Sequence, residues 1–325
     1  MIDVSVIIPF YNALEFLDRI VNDLNNQIFK DFEVIFVDDG STDNSYNAID
    51  NMIRRNICKF NASLVRQENK GVSTARNLGI TKAVGRYFCF VDVDDGITDE
   101  YLEAMYSVMQ KEDADVVFCK TTDQQISKSQ EYFILNKVDA LERYLFRNLT
   151  TGVWSMMVKN VIICENNLKF ADGFKYSEDL HMVFRIIACS NKIILLEKQL
   201  YIYYKNYGSA MRKFDENRFD TIRLFKNLEE YFCENNPDFY TLYKQYGVAY
   251  SEWSVLWQAA YHLKWIAFNK FTKEYNFKAG LRKLASYPSR RVQLSSKVFL
   301  VSKTVFFVCV KFCINRLMSG HIRGD

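Results

Sequence analysis

The chain has 325 residues, 49% of them hydrophobic, and a net charge of +3. That length supplies one large core and an appendage, and no low-complexity linker or internal repeat interrupts it. Eight Cys without a C-x-x-C pair and only three His argue against a zinc site. With an opening Met1-Ile-Asp-Val that has no basic n-region, they point to a reducing, cytoplasmic setting.

Taken in chain order, short apolar runs at 4–10, 32–37, 62–67, 87–91 and 115–119 predict strands. The segments between them, 13–27, 43–56, 73–84 and 99–112, carry helical periodicity. Strands alternating with helices imply right-handed βαβ units, hence an α/β fold with a mostly parallel central sheet covered on both faces. From 137 to 200 the pattern is mixed, with a helix at 178–189 and strands at 193–196 and 200–204. Beyond 215 it reads as helices at 215–235, 238–268, 274–286 and 292–318. The chain thus divides into an α/β domain, 1–214, and a helical C-terminal extension, 215–325.

Ligands of such sheets bind at the carboxyl ends of the strands. There the sequence places Pro9-Phe-Tyr11-Asn12, Asp38-Asp39-Gly40-Ser41, Gln67-Glu-Asn-Lys70-Gly71 and Asp92-Val-Asp94-Asp95. Asp and Gly favour turns, so the last stretch alone reads equally well as a solvated loop. Two acid pairs at neighbouring strand ends would repel each other and call for a cation or hydrogen-bond donors. A hard divalent ion, Mg²⁺ or Mn²⁺, bridging carboxylates to a diphosphate answers that need.

Read together, "VSVIIPFYN", "FEVIFVDDGSTDNS", "NKGVSTARNLGI", "GRYFCFVDVDDGI" and "YSEDLHMVFRI" resemble the inverting family 2 glycosyltransferases of the GT-A fold. The resemblance covers about residues 1 to 215, and is greatest to the bacterial branch that builds capsule, O-antigen and cell-wall polysaccharides. It implies a Rossmann-like nucleotide-binding half, 1–120, and an acceptor half, 121–214. Pro9, Tyr11 and Asn12 fall where the family lodges the nucleotide base, and Asp39, with Asp38 beside it, where it binds uracil. Lys70 and Arg76 fall in the donor-side loop. Asp92-Val-Asp94 is the DxD motif, with Asp94 expected on the metal and Asp92 and Asp95 on ribose, donor sugar or metal-bound water. Asp179, after Glu178, is the expected general base, although two acids in a first turn also suit any helix N-terminus. Relatives often read Trp-Asn-Lys where this chain has Trp154-Ser155-Met156. Lys205, Ser209 and Arg212 stand in as candidates for the diphosphate.

The partners implied are a nucleotide-sugar donor and a glycan acceptor of the kind that is often lipid-linked in this family; the oligomeric state is left open. Residues 264–325 hold 13 Lys/Arg against 2 Asp/Glu, so this end carries +11 and the rest −8. On one continuous helix over 292–318, Lys303, Thr304 and Lys311 form a polar stripe, with Phe299, Phe306 and Val310 opposite. That pattern suits a helix lying on an anionic membrane surface, which would make the protein peripheral on the inner face of the cell membrane; a core helix with lysines outward is the alternative. No nucleic-acid-binding motif appears. Two rival functions remain: a catalytically silent nucleotide-sugar-binding scaffold, and a sugar nucleotidyltransferase, which normally wants a Gly-rich basic loop where Tyr11-Asn12-Ala13 stands.

Overall fold

The computed structural model describes residues 2–126, 130–149, 152–204 and 214–318, the last five as backbone only. The described residues fall into two compact units, one made of residues up to 144 and from 149 to 207, the other of 145–148 and the chain from 208. The first unit runs β1 (Val4–Phe10), α1 (Leu17–Asn25), β2 (Phe32–Asp38), α2 (Ser45–Arg54), β3 (Asn61–Arg66), α3 (Val72–Lys82), β4 (Tyr87–Phe90), β5 (Gly96–Ile97) and α4 (Tyr101–Glu112). It continues through β6 (Val116–Thr121), β7 (Tyr132–Leu135), α5 (Lys137–Leu145), β8 (Met156–Lys159), α6 (Asn160–Glu165), α7 (Glu178–Cys189) and β9 (Ile193–Ile202).

The sheet order is β3-β2-β1-β4-β8-β6-β9-β5, with β7 on β9. The expected parallel arrangement holds over β3-β2-β1-β4; beyond it the sheet is mixed, because β8 inserts antiparallel to both β4 and β6. Every residue of β1 and β2 is buried, as continuous apolar runs require when both faces are covered. On one face Val4, Val6 and Ile8 join Leu17, Ile20, Val21 and Leu24 of α1. On the other, α3 closes on Ile7, and a Cβ added at Gly79 would lie 2.4 Å from the Ile7 side chain. The register sets Phe10 beside Asp38 and Asp38 beside Arg66, so the strand-end loops leave the sheet at one edge.

One strand, β9, replaces the two expected at 193–196 and 200–204. Its middle, Glu197-Lys198-Gln199, is polar, but main-chain pairing does not depend on side-chain polarity, and Glu197 finds Lys120 at 2.9 Å on the neighbouring strand. Of the other elements, β7, β8 and α6 are too short to show a period, and α5 lies in the stretch whose pattern is mixed.

The second unit is helical: α8 (Phe219–Asn235), α9 (Pro237–His262), α10 (Trp265–Glu274), α11 (Lys278–Lys283), α12 (Arg290–Val301) and α13 (Lys303–Met318). The helix expected over 238–268 stops at His262, where Leu263 turns extended, and restarts at Trp265. The single helix expected over 292–318 breaks at Ser302, also extended (φ −153°, ψ 111°). The break overturns the reading of one amphipathic tail. Phe299, Phe306 and Val310 are buried, and Phe306 packs on Trp257, Phe268 and Phe299. The Lys311 ammonium donates to the Tyr261 carbonyl at 2.6 Å instead of reaching outward. Those three apolar residues are core, not a membrane face.

Phe306→Ala should therefore lower the unfolding free energy of the helical unit by about 3–5 kcal/mol, the usual cost of emptying a buried aromatic site. Chemical denaturation followed by far-UV circular dichroism measures it, and a loss below about 1 kcal/mol would mean that α13 is not part of that core.

Candidate active site

The loops after β1, β2 and β3 are tied to one another before they are available to any ligand. Asn12, in left-handed backbone (φ 48°), accepts on its Oδ1 from the amides of Thr42 and Asp43 at 2.8 and 3.2 Å, and its own amide donates to Ser41 Oγ. Asp38 is fully buried, accepts from the Ser41 amide at 2.9 Å and pairs with Arg66 at 3.0 Å. Asp39, 5% exposed, accepts from Gln67 Nε2 and the Lys70 amide on Oδ1, and from the Gly71 amide on Oδ2, at 2.7, 2.8 and 2.9 Å. Gly40 and Gly71 take positive φ at the two turns this knot needs, and a Cβ at Gly40 would meet the Asn69 amide at 2.7 Å. Pro9 is buried inside β1 opposite Val37. Of the residues expected at the base, Tyr11 and Asn12 are exposed, Tyr11 to 47%, and Asn12 is held by the Thr42 and Asp43 amides. Lys70 is exposed, with its ammonium near Glu68.

Around Asp92–Asp95 the carboxylates divide into separate roles. Asp95 is 2% exposed, and accepts from the Tyr201 hydroxyl at 2.8 Å and the Tyr204 amide at 3.1 Å. The same Tyr201 oxygen accepts from the Asp92 amide at 3.3 Å, so one tyrosine braces the loop from below. Burial pushes Asp95 up to about 7, with the nearby Asp92 and Asp94 charges adding to the rise and the Tyr201 bond opposing it. Each of its two oxygens thus accepts one hydrogen bond within the protein. Asp92 and Asp94 are half-buried. Arg19 caps the loop from the other side, donating to the Asp94 carbonyl while its guanidinium lies 4.2 Å from the centre of the Tyr204 ring.

Arg76 joins this loop to α7. It lies on α3, 4% exposed, with Asp92 Oδ1 at 2.7 Å and Glu178 Oε1 at 3.3 Å, above the Phe170 ring at 5.3 Å. The next residue, Asn77, exchanges two hydrogen bonds with the Phe170 backbone and so fixes the segment that leads into α7. Burial works against the guanidinium charge, but Asp92 and Glu178 outweigh it and raise the pKa, so Arg76 stays a cation. Glu178 is pushed up to about 7, by burial first and by the adjacent Asp179 next, with Arg76 opposing both. Ser177, just before this pair, sits in left-handed backbone (φ 67°), strain of the kind that collects at working sites. Asp179 occupies the second position of α7 and is half-buried. Lys205, Ser209 and Arg212 lie outside the described residues.

The profile of "Glycosyl transferase family 2" matches residues 5–159. GlyG, a glycosyltransferase of Streptococcus pneumoniae, is 30% identical over 225 residues, 64% of this chain and 73% of its own length. The chain belongs to glycosyl transferase family 2. Other curated relatives are longer: the matched region spans 62% of EpsJ from Bacillus subtilis and 32% of GlyA from S. pneumoniae. Among solved structures, TarS of Staphylococcus aureus, residues 1–349 with UDP-GlcNAc, superposes with a TM-score of 0.64 at 20% identity, covering 99% of this chain and 94% of that one. A mannosyltransferase of Pyrobaculum calidifontis, solved with GDP-Man and Mn²⁺, gives a TM-score of 0.55 at 15% identity over 95% and 86%. These likenesses carry the GT-A fold.

A divalent ion fits this family 2 site in one form only. Among the described residues no three His, Cys, Asp or Glu side chains are grouped as a protein cage would need. Asp94 and Asp92, the latter bonded to Arg76 through one oxygen, would make the one- or two-carboxylate set that suits an ion arriving with substrate phosphates. Sequence reasoning missed Arg19 and Tyr201, which no local pattern distinguishes from ordinary helix and strand residues.

The Glu178 shift has a sign that can be checked. Its folded pKa, about 7, lies above the ordinary 4.5, so the unfolded chain ionises first as pH rises. The folded state is then penalised progressively between pH 4.5 and 7, and the penalty is constant above that window. Glu178→Gln should remove it, so the stability difference, variant minus parent, should rise across pH 4.5–7 by a few kcal/mol and then level off. A difference that stays flat with pH would place Glu178 in an ordinary carboxylate environment.

Proposed function

We propose that the protein transfers a sugar, with inversion, from a nucleoside-diphosphate sugar to a hydroxyl of a growing bacterial surface glycan. The observation that carries this reading is the Arg76 bridge, which sets the first turn of α7, with Glu178 and Asp179, against Asp92 at the nucleotide edge of the sheet. A transferase needs a proton acceptor on the far side of the anomeric carbon from the diphosphate. Asp179, next to the Arg76-bound Glu178, is proposed as that base. It would take the proton of the acceptor hydroxyl as it attacks, one displacement would break the bond to the diphosphate, and no covalent intermediate is needed.

Tyr11 offers an exposed ring at the end of β1 for a nucleobase, and the Asp39 knot fixes the loop beside it. UDP is the proposed nucleotide, on the strength of the UDP-GlcNAc bound by TarS. Asp94, helped by Asp92, would hold Mn²⁺ or Mg²⁺, consistent with the Mn²⁺ of the mannosyltransferase. When bound, such an ion would neutralise charge on the departing diphosphate. The acceptor is proposed to be lipid-linked, which would put the enzyme to work at the cytoplasmic face of the membrane; a relative named cholesterol galactosyltransferase acts, by that name, on a lipid.

Incubation with a panel of nucleotide sugars, with and without Mn²⁺, reads donor turnover as released nucleoside diphosphate. UDP release that Mn²⁺ stimulates is expected. Asp179→Asn should keep donor affinity and lose about 10²–10⁴-fold in kcat. Near-normal kcat in that variant would give the proton to another group, and donor binding without turnover in the parent would favour a scaffold.

A further inference from the structure

Three aromatic rings run outward from beneath the Asp92 loop. Tyr201 is buried, its hydroxyl accepting from the Asp92 amide and donating to the Asp95 carboxylate. The Trp154 ring lies against it, centroids 4.8 Å apart and planes 32° apart. Tyr203 continues the row, 6.5 Å from Trp154 and again tilted by 32°. Side chains two apart in an extended chain share a face, so Tyr203, just past the end of β9, follows Tyr201 towards the same indole.

The backbone delivers Trp154 to this place. β8 pairs antiparallel with β4 as far as Met157 opposite Cys89, and three more residues along each chain reach Trp154 and Asp92. The Trp154 carbonyl accepts from the Tyr101 hydroxyl at 2.9 Å. The indole folds back over Gly152, where an added Cβ would lie 2.4 Å from its Nε1, so a side chain there would have to move the ring.

Tyr203 is where the row meets solvent. It is 44% exposed, and among the described residues its ring meets no aromatic ring but Trp154 and its hydroxyl makes no hydrogen bond. The next exposed aromatic, Tyr204, already carries the Arg19 guanidinium on its ring. Partial burial first, then the Asp95, Asp94 and Asp92 charges, raise the Tyr203 pKa, as a hydroxyl near those carboxylates would show. Single exposed aromatics are ordinary. A row of three that ends beside carboxylates suits a sugar, whose C–H face lies on an aromatic plane while its hydroxyls reach polar groups nearby. The sheet order sets β8 and β9 beyond β4, away from β1, β2 and β3 where the proposed nucleotide site lies. The Val153–Ser155 turn that carries Trp154 packs against α7, which bears the proposed base. An attacking hydroxyl would come from that side.

We infer that Trp154 and Tyr203 form the platform on which a pyranose ring of the acceptor stacks. The inference deepens the transferase reading proposed above and rests on it for the acceptor's role; sugar binding itself can be read without turnover.

The test is saturation-transfer NMR of the full chain with the methyl β-glycosides of glucose, galactose and N-acetylglucosamine, titrated for affinity. At least one is expected to bind, its ring C–H protons saturated most strongly. Tyr203→Ala, at an exposed position, should keep the circular dichroism spectrum and weaken that glycoside at least about fivefold, whereas Tyr203→Phe, which keeps the ring, should stay within about twofold of the parent. The inference fails if none of the three glycosides binds the parent, if folded Tyr203→Ala binds as the parent does, or if Tyr203→Phe loses as much as Tyr203→Ala. It also fails if Tyr203→Ala spares the glycoside and weakens UDP-GlcNAc, read by isothermal titration, which would put the ring at the donor sugar. Glycoside binding that depends on Tyr203, without release of UDP from any nucleotide sugar, would retain the platform and remove the transferase reading. UDP release with glycoside binding indifferent to Tyr203 would do the reverse.

Discussion

A guanidinium almost wholly out of water, held between two carboxylates from distant parts of the chain, sets the terms for the rest of the catalytic unit. Arg76 contacts Asp92, which follows β4, and Glu178, which opens α7 a hundred residues later. Burying a charge is tolerable only where partners compensate it, and removing one partner of a buried pair typically costs about 3–5 kcal/mol. Neither carboxylate can therefore drift without exposing an uncompensated charge. The separation between the loop after β4 and the first turn of α7 is fixed by electrostatics as much as by packing, and any chemistry using both sides inherits that rigidity. Phe170 below the guanidinium and Asn77 on the adjoining backbone hold the same joint by apolar and hydrogen-bond contacts.

The acids of the strand ends illustrate how one residue type serves different ends. Asp38, Asp39 and Asp95 are spent on the protein itself: they accept from loop amides, pair with Arg66, or take a tyrosine hydroxyl. A carboxylate that accepts N–H and O–H bonds on both oxygens fixes the shape of the loop around it. Asp92 and Asp94 stay half-buried beside that frame, on the loop that Tyr201 and Arg19 hold in place. Preorganisation of this kind is what electrostatic catalysis requires, because the site does not have to rearrange as charge develops.

How much of this could be read from residues alone follows the range of the interactions. Strands β1, β2 and β4 and helix α7 were legible because their signals are local: unbroken apolar runs, and an acid pair at a helix start. The gathering of the strand-end loops was legible because strand ends in such sheets converge. What could not be read were contacts set by tertiary pairing. Arg76 looks like a surface residue of an ordinary helix until Asp92 and Glu178 close on it. Asp95 cannot be told from Asp94 until Tyr201 arrives from β9. The tail was misread because Ser302 carries no breaker signal, so a wheel drawn through it placed Phe299, Phe306 and Val310 on a face that the fold buries.

The measurement that bears most directly on this account is a double-mutant cycle of unfolding free energies over Arg76→Gln, Glu178→Gln and the pair, taken above pH 7, where Glu178 is largely ionised. If the buried Arg76 cation is what makes the Glu178 carboxylate tolerable, Arg76→Gln alone should be strongly destabilising. Adding Glu178→Gln should then recover part of the loss, a coupling of about 1–3 kcal/mol. Additive effects within about 0.5 kcal/mol would contradict the account and leave the two side chains as neighbours that do not depend on each other.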